Sequence, residues 1–137
     1  MLKNLSSLHE MARSHTKRRL VLAAAHDEHA LEAVVHASEK QIIEGTLVGD
    51  LEKIRQIAEK RGFDLTHYKL VDAPENGHAA EKAVQLVRGG EADILMKGNI
   101  STGVLLKAVL NKEWGLRTGE LISHLAIFEL ERYHKLI

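Results

Sequence analysis

The sequence predicts a three-layer α/β domain: an open, mostly parallel sheet with helices on both faces and an antiparallel hairpin near the C-terminus. Three observations carry this. Short apolar segments of strand character are centred near residues 22, 47, 70 and 94, a spacing of about 24 residues that suits minimal strand–helix units. Between them, apolar residues recur at helical spacing. After residue 120 the alternation stops, and two strand-like segments follow one another with no helix between them, the pattern of a hairpin.

Taken in order, residues 2–13 place Leu5, Leu8, Met11 and Ala12 on one helical face, and Lys17-Arg18-Arg19 follows as a charged turn. Leu20 to Ala25 is a continuous apolar run, expected of a parallel strand covered on both faces. His26-Asp27 ends it, and Leu31, Val34 and Val35 resume helical spacing. Gly45 to Gly49 is the second strand. Asp50 is a natural N-cap for a helix burying Leu51, Ile54, Ile57 and Ala58, and Gly62 is its stop signal. Tyr68 to Asp72 is the third strand, Ala73 to Gly77 a loop, and Ala80, Ala83, Val84 and Val87 form the next helical stripe, ending at Gly89-Gly90. Ala92 to Met96 is the fourth strand, and a fifth helix is expected from Ser101 to about Lys112. Leu121 to Leu130 reads as a strand, Glu131-Arg132 as a turn, and Tyr133 to Ile137 as the start of another strand.

Composition bounds the function. Nineteen basic and nineteen acidic residues give a net charge of zero, so no global field holds a nucleic acid backbone or an anionic membrane. Five aromatic residues leave few platforms for stacking bases. No nucleic acid and no membrane partner are expected. The chain has no cysteine, which excludes a disulfide scaffold, a thiolate metal centre and a cysteine nucleophile and fits a reducing compartment. The longest apolar run, Leu20 to Ala25, is far shorter than the roughly 20 residues of a membrane helix; the expected location is the cytoplasm.

Ligands of an open parallel sheet bind beyond the carboxyl ends of its strands. The richest such segment is Met96-Lys97-Gly98-Asn99-Ile100-Ser101-Thr102-Gly103: a cation at a strand end, a glycine, two hydroxyls and then the free amides of a helix start. Together they would cradle a phosphate. The alternative is that Ser101 or Thr102 merely caps the helix and Lys97 is solvated, and both readings stay open on the residues alone. Val104-Leu105 stands where a nucleotide-binding P-loop would carry Lys-Ser/Thr, and no GxGxxG occurs. His26 and His29 with Asp27 look superficially like a ligand cluster, but no further ligand follows at a diagnostic spacing and HExxH is absent, so no metal is expected. A Ser101, His124, Asp72 triad lacks the GxSxG context. His124, beside Ser123, reads either as a site residue at the sheet edge or as a satisfied structural histidine.

Several segments carry a resemblance. Residues 90–98 (Gly-Glu-Ala-Asp-Ile-Leu-Met-Lys-Gly), Ser101-Thr102, residues 106–113 (Leu-Lys-Ala-Val-Leu-Asn-Lys-Glu), Gly115-Leu116-Arg117-Thr118-Gly119 and residues 121–129 closely resemble the phosphate acetyl/butyryltransferase family. Ala23-Ala24-Ala25-His26-Asp27 and Thr46-Leu47-Val48-Gly49-Asp50 fit it as well. The resemblance implies the reaction of an acyl-CoA with phosphate to give an acyl phosphate and coenzyme A, with coenzyme A as substrate and no resident cofactor. Ser101-Thr102 matches the acetyltransferase branch, whereas Ile100 stands where that branch has a histidine and Lys107 where it has an arginine, which implies butyryl or branched acyl substrates. Family members are roughly twice this length, with two α/β domains, a cleft between them, and the catalytic serine and aspartate in the second half. Residues 1–137 are then expected to be one domain like the N-terminal one, with the second domain absent and the chain inactive alone.

On this reading the cations that hold phosphate are Lys97, Lys107 and Arg117, with Arg117 as a bidentate ligand; Gly98, Ser101, Thr102, Ser123 and His124 complete the candidate set, and no catalytic residue is assigned. A homo-oligomer is expected because Tyr133 to Ile137 begins a strand with no partner. The competing reading is a non-catalytic binding or assembly module on the same fold, and a general nucleotide-binding domain comes third.

Overall fold

The computed structural model describes residues 4–130 and 136–137. Its elements are α1 (Leu5–Arg13), β1 (Arg18–Ala23), α2 (Glu28–Glu39), β2 (Ile43–Gly49), α3 (Leu51–Arg61), β3 (Lys69–Asp72), α4 (Asn76–Arg88), β4 (Ile94–Lys97) and α5 (Thr102–Val109). The sheet order is β3-β2-β1-β4, and all three pairings are parallel.

Alternation along the strands builds the two cores. Leu20 and Leu22 of β1, Leu47, Leu70 and Met96 face Leu31, Val34, Val35 and Ile54 of α2 and α3. Val21 and Ala23, Val48, Val71 and Leu95 face Ala79, Ala80, Ala83 and Val84 of α4 and Ala108 of α5. The sheet is therefore covered on both faces, which is why β1 reads as an unbroken apolar run. Leu22, Leu31, Leu47 and Ile54 are fully buried, each worth about 1.5–3 kcal/mol of removal from water. The small alanine and valine side chains of α4 bring that helix close to the sheet.

Local chemistry sets the ends. Asp27 and Asp50 cap α2 and α3 by accepting from the amides of Ala30 (2.9 Å) and Lys53 (3.2 Å), and Gly62 ends α3 in the left-handed region at φ 70°. Two expectations change. Arg18 and Arg19 belong to β1 rather than to a charged turn, because the Arg19 guanidinium is fixed by Asp93 (2.8 Å) and by the Gly90 carbonyl (2.6 Å). Helix α5 stops at Val109, short of Lys112, because the Asn111 side chain accepts from the amides of Glu113 and Trp114 and turns the chain.

The expected hairpin is not shown. Leu121 to Leu130 forms no strand of the sheet. Phe128 and Ile137 exchange two backbone hydrogen bonds, at 2.8 and 3.0 Å, as an antiparallel pair does, while the expected turn at Glu131-Arg132 and most of the strand from Tyr133 lie outside the described residues. A strand needs a neighbour and a covered face; here Leu121 and Leu125 are 98% and 83% exposed. Among the described residues no helix is long and apolar enough to cross a membrane.

Candidate functional site

β1, β2 and β3 run outward in one direction while β4 lies on the other side of β1. The order reverses between β1 and β4, and the crevice beyond their carboxyl ends is where open α/β sheets take ligands. Its floor is tightly built. Gly98 and Asn99 donate their amides to the carbonyls of Ala23 (2.8 Å) and Ala24 (2.9 Å). A Cβ on Gly98 would lie 2.3 Å from the Ala24 oxygen, so only glycine permits this approach. Ala24, fully buried, turns the chain out of β1 at φ 56°, a left-handed conformation that costs a non-glycine residue about 1–2 kcal/mol.

Lys97 ends β4 with an exposed side chain whose Nζ donates to the Ile100 carbonyl at 2.8 Å, so the cation is held over its own loop. Ser101 caps α5, its Oγ accepting from the Val104 amide at 3.2 Å. The amides of Thr102 and Gly103 have no protein acceptor among the described residues, as expected in a first helical turn. Ile100 is buried in the core beneath α4 and α5, so this position sets the shape of the loop rather than lining the crevice.

Four helices begin at this edge, and their charges differ. α2 and α3 are capped by aspartates and carry Glu28 and Glu52 in their first turns, and Glu75 precedes α4. The Asp50 carboxyl is held below its ordinary range, chiefly by the backbone amide of Lys53. α5 has a neutral serine cap and no acid in its first turn. Its partial positive charge is not offset by a carboxylate there, and Lys97 adds a full charge beside it. The arrangement suits an oxyanion.

The structure brings Lys97, Gly98, Ser101 and Thr102 together and leaves the other candidates elsewhere. A helix after a strand runs back along the sheet, so Lys107 lies exposed in the last turn of α5, about 9 Å along the axis from Ser101. Arg117 lines a separate cavity of about 340 Å³ with Arg88, Asn111, Lys112, Gly115 and Leu116. Arg88 ends α4, next to the Gly90 carbonyl that holds Arg19 at the start of β1, which puts this cavity at the amino edge. Ser123 and His124 are exposed in the segment after α5. Asp72 ends β3, three strands away from β4, about 14 Å across the sheet, and forms no triad with Ser101. His26 accepts from the Asp50 amide through Nδ1 at 3.4 Å, and among the described residues no three metal-ligating side chains converge. A roomier cavity of about 750 Å³ lies at the amino ends of β1 to β3, and its Lys69 and Glu91 neutralise each other at 2.6 Å.

Sequence reading missed Arg88, whose guanidinium pins the loop after α5 through the carbonyls of Glu113 (2.8 Å) and Gly115 (3.0 Å). Nothing local signals that contact, since a C-terminal arginine on a helix ordinarily faces water.

The chain is 42% identical over all 137 residues to the phosphate butyryltransferases of Clostridium beijerinckii and Clostridium acetobutylicum, covering 45% and 46% of them. It is 39% identical over 126 residues to the phosphate acetyltransferase of Thermotoga maritima, 92% of this chain and 42% of that one. It thus spans about half the length of the curated relatives it matches. Among solved structures, a phosphotransacetylase from Streptococcus pyogenes superposes with a TM-score of 0.66 at 18% identity, covering 78% of this chain and 42% of that one, which supports the fold. A branched-chain phosphotransacylase from Enterococcus faecalis matches with a TM-score of 0.54 at 26% identity, over 70% of this chain and 33% of that one. The model of the family described as phosphate acetyl/butaryl transferase matches residues 4–82, more than half of the sequence, and the chain belongs to that family.

Proposed function

We propose that this chain is the N-terminal domain of a phosphate acyltransferase of butyryl type, and that it supplies the phosphate-binding wall of an active site completed by a second domain. The observation that carries the reading is the neutral, unopposed N-terminus of α5 beside Lys97 at the switch point. In the reaction a phosphate oxygen attacks the thioester carbonyl carbon, the new C–O bond forms, the C–S bond breaks, and the coenzyme A sulfur leaves and takes a proton. Lys97 and the amides of Thr102 and Gly103 would hold the phosphate charge, with the Ser101 and Thr102 hydroxyls as further donors. Gly98 keeps the loop against β1.

None of these groups handles the thiol proton, and that role falls to the second domain. The two relatives at 42% identity support a butyryl-type substrate. The exposed Leu121, Ile122, Leu125, Ile127 and Phe128 support assembly with further protein, and a homo-oligomer working in the cytoplasm is the form we infer. A chimera tests the reading: this chain joined to the second half of the Clostridium beijerinckii relative, assayed for thiol release from butyryl-CoA with phosphate. Phosphate-dependent turnover that falls at least tenfold in Lys97→Ala is expected. A folded chimera without turnover, or one indifferent to Lys97, overturns it.

A further inference from the structure

We propose that Arg88, Lys112 and Arg117 form a second oxyanion site, suited to a phosphoryl group, at the amino edge of the sheet. The charges in this chain sum to zero, and among the described residues five cations are paired with carboxylates: Arg19 with Asp93, Lys53 with Asp50, Lys60 and Arg61 with Glu28, Lys69 with Glu91. The 340 Å³ cavity beyond α5 departs from this, with three cations and no carboxylate in its lining.

Its frame is fixed before any ligand arrives. Arg88 spends one nitrogen, Nη1, on the carbonyls of Glu113 and Gly115, and its other guanidinium N–H groups have no acceptor among the described residues. The Asn111 side chain holds the turn, and Gly115 packs so closely that a Cβ there would lie 2.4 Å from the Asn111 backbone carbonyl oxygen. The C-terminal ends of α4 and α5 account for a cation such as Arg88 in the last turn. Arg117 lies beyond both helices and has no such explanation.

Three cations around one hollow repel each other, and a dianion relieves that repulsion more than a single carboxylate does. A phosphoryl group also brings three oxygens to three donors. The hollow exceeds one phosphate ion, leaving room for a small organic group on a phosphomonoester. The eight residues of α5 separate this site from the Ser101 loop, by about 12 Å along the helix. The proposal does not rest on the α5 loop binding phosphate.

Amide NMR titration of the 137-residue chain with inorganic phosphate, phenyl phosphate and acetate tests it. Saturable shifts are expected at residues 111–117 with both phosphates, at concentrations where acetate gives none; tighter binding of phenyl phosphate identifies a phosphomonoester, and equal binding identifies phosphate itself. Arg117→Gln and Lys112→Gln should each weaken these shifts roughly tenfold, the usual scale of a charged hydrogen bond, with the spectrum otherwise unchanged. Ser101→Ala should leave them in place. No saturable response at 111–117, an equal response to acetate, or indifference to both substitutions overturns the proposal. Loss of response at 98–104 alone counts against the α5 loop and leaves this site standing.

Discussion

Replacing Gly98 with alanine puts a methyl group 2.3 Å from the Ala24 carbonyl oxygen and 2.9 Å from that of Ala23. Both atoms are backbone, so neither can rotate away. The loop after β4 must lift, and lifting it breaks the bonds from the Gly98 and Asn99 amides to those carbonyls. With each bond worth about 1 kcal/mol and overpacking of a filled interior costing about 1–3 kcal/mol, Gly98→Ala should destabilise the chain by about 3–5 kcal/mol. That is a large share of the ~5–15 kcal/mol expected for a whole domain. Urea unfolding followed by circular dichroism measures it. Gly103→Ala is the control: a Cβ there meets nothing within 4 Å, and the residue lies in the first turn of α5, where alanine should stabilise by up to about 0.5–1 kcal/mol. Equal midpoints for Gly98→Ala and the unaltered chain would refute the claim that this contact admits only glycine. Movement confined to residues outside 23–26 and 97–101 in the amide spectrum would refute it as well.

Other perturbations have equally definite outcomes. The Asp93 carboxyl, hydrogen-bonded and charge-paired to Arg19, is lowered from 3.8 to about 2; its contribution is complete above the unfolded value and is lost as pH falls through about 2. Urea midpoints of Asp93→Asn should therefore lie below those of the unaltered chain at pH 7 and converge with them near pH 2, and a gap that persists there would contradict the assignment. The 137-residue chain alone should show no substantial thiol release from butyryl-CoA with phosphate; turnover near that of full-length relatives would show that this half is sufficient. Light scattering across a dilution series should find species heavier than the 15.3 kDa chain, through the exposed apolar residues of 121–130, and a stable monomer at high concentration would show that this run is covered in solution.

The parts of the molecule legible in the sequence are those whose cause is local. β1 is visible because burial on both faces demands an unbroken apolar run, and α3 because Asp50 and Gly62 mark its ends by side-chain capping and left-handed backbone. Lys97, Gly98, Ser101 and Thr102 are recognisable as a group because one loop carries them. Arg117 escapes such reading for a geometric reason: α5 runs back from the loop at its N-terminus, and the turn after it leaves Arg117 beside Arg88 and Lys112 instead. Ala24 gives no warning of its positive φ, since alanine has no preference for that region and the surrounding contacts impose it. Leu121 to Leu130 has the composition of a strand, but pairing is a property of two segments, and among the described residues only Phe128 finds a backbone partner, in Ile137.

The strand order also biases the way the sheet closes. Leu20 pairs with Gly45 on one side and with Ile94 on the other, and the second contact encloses a chain segment about three times longer, costing about 1 kcal/mol more in loop entropy. β1 and β2, joined by one helix, can associate while most of the chain is still unstructured. The β1–β4 contact must close the longer loop and needs the strand made last, so the edge that carries Lys97 and the α5 loop is expected to join the sheet after β1 and β2 have paired. During synthesis β1 therefore emerges with one side unpaired and stays so until residue 97 has left the ribosome, which makes its apolar run the segment most in need of protection from neighbouring chains.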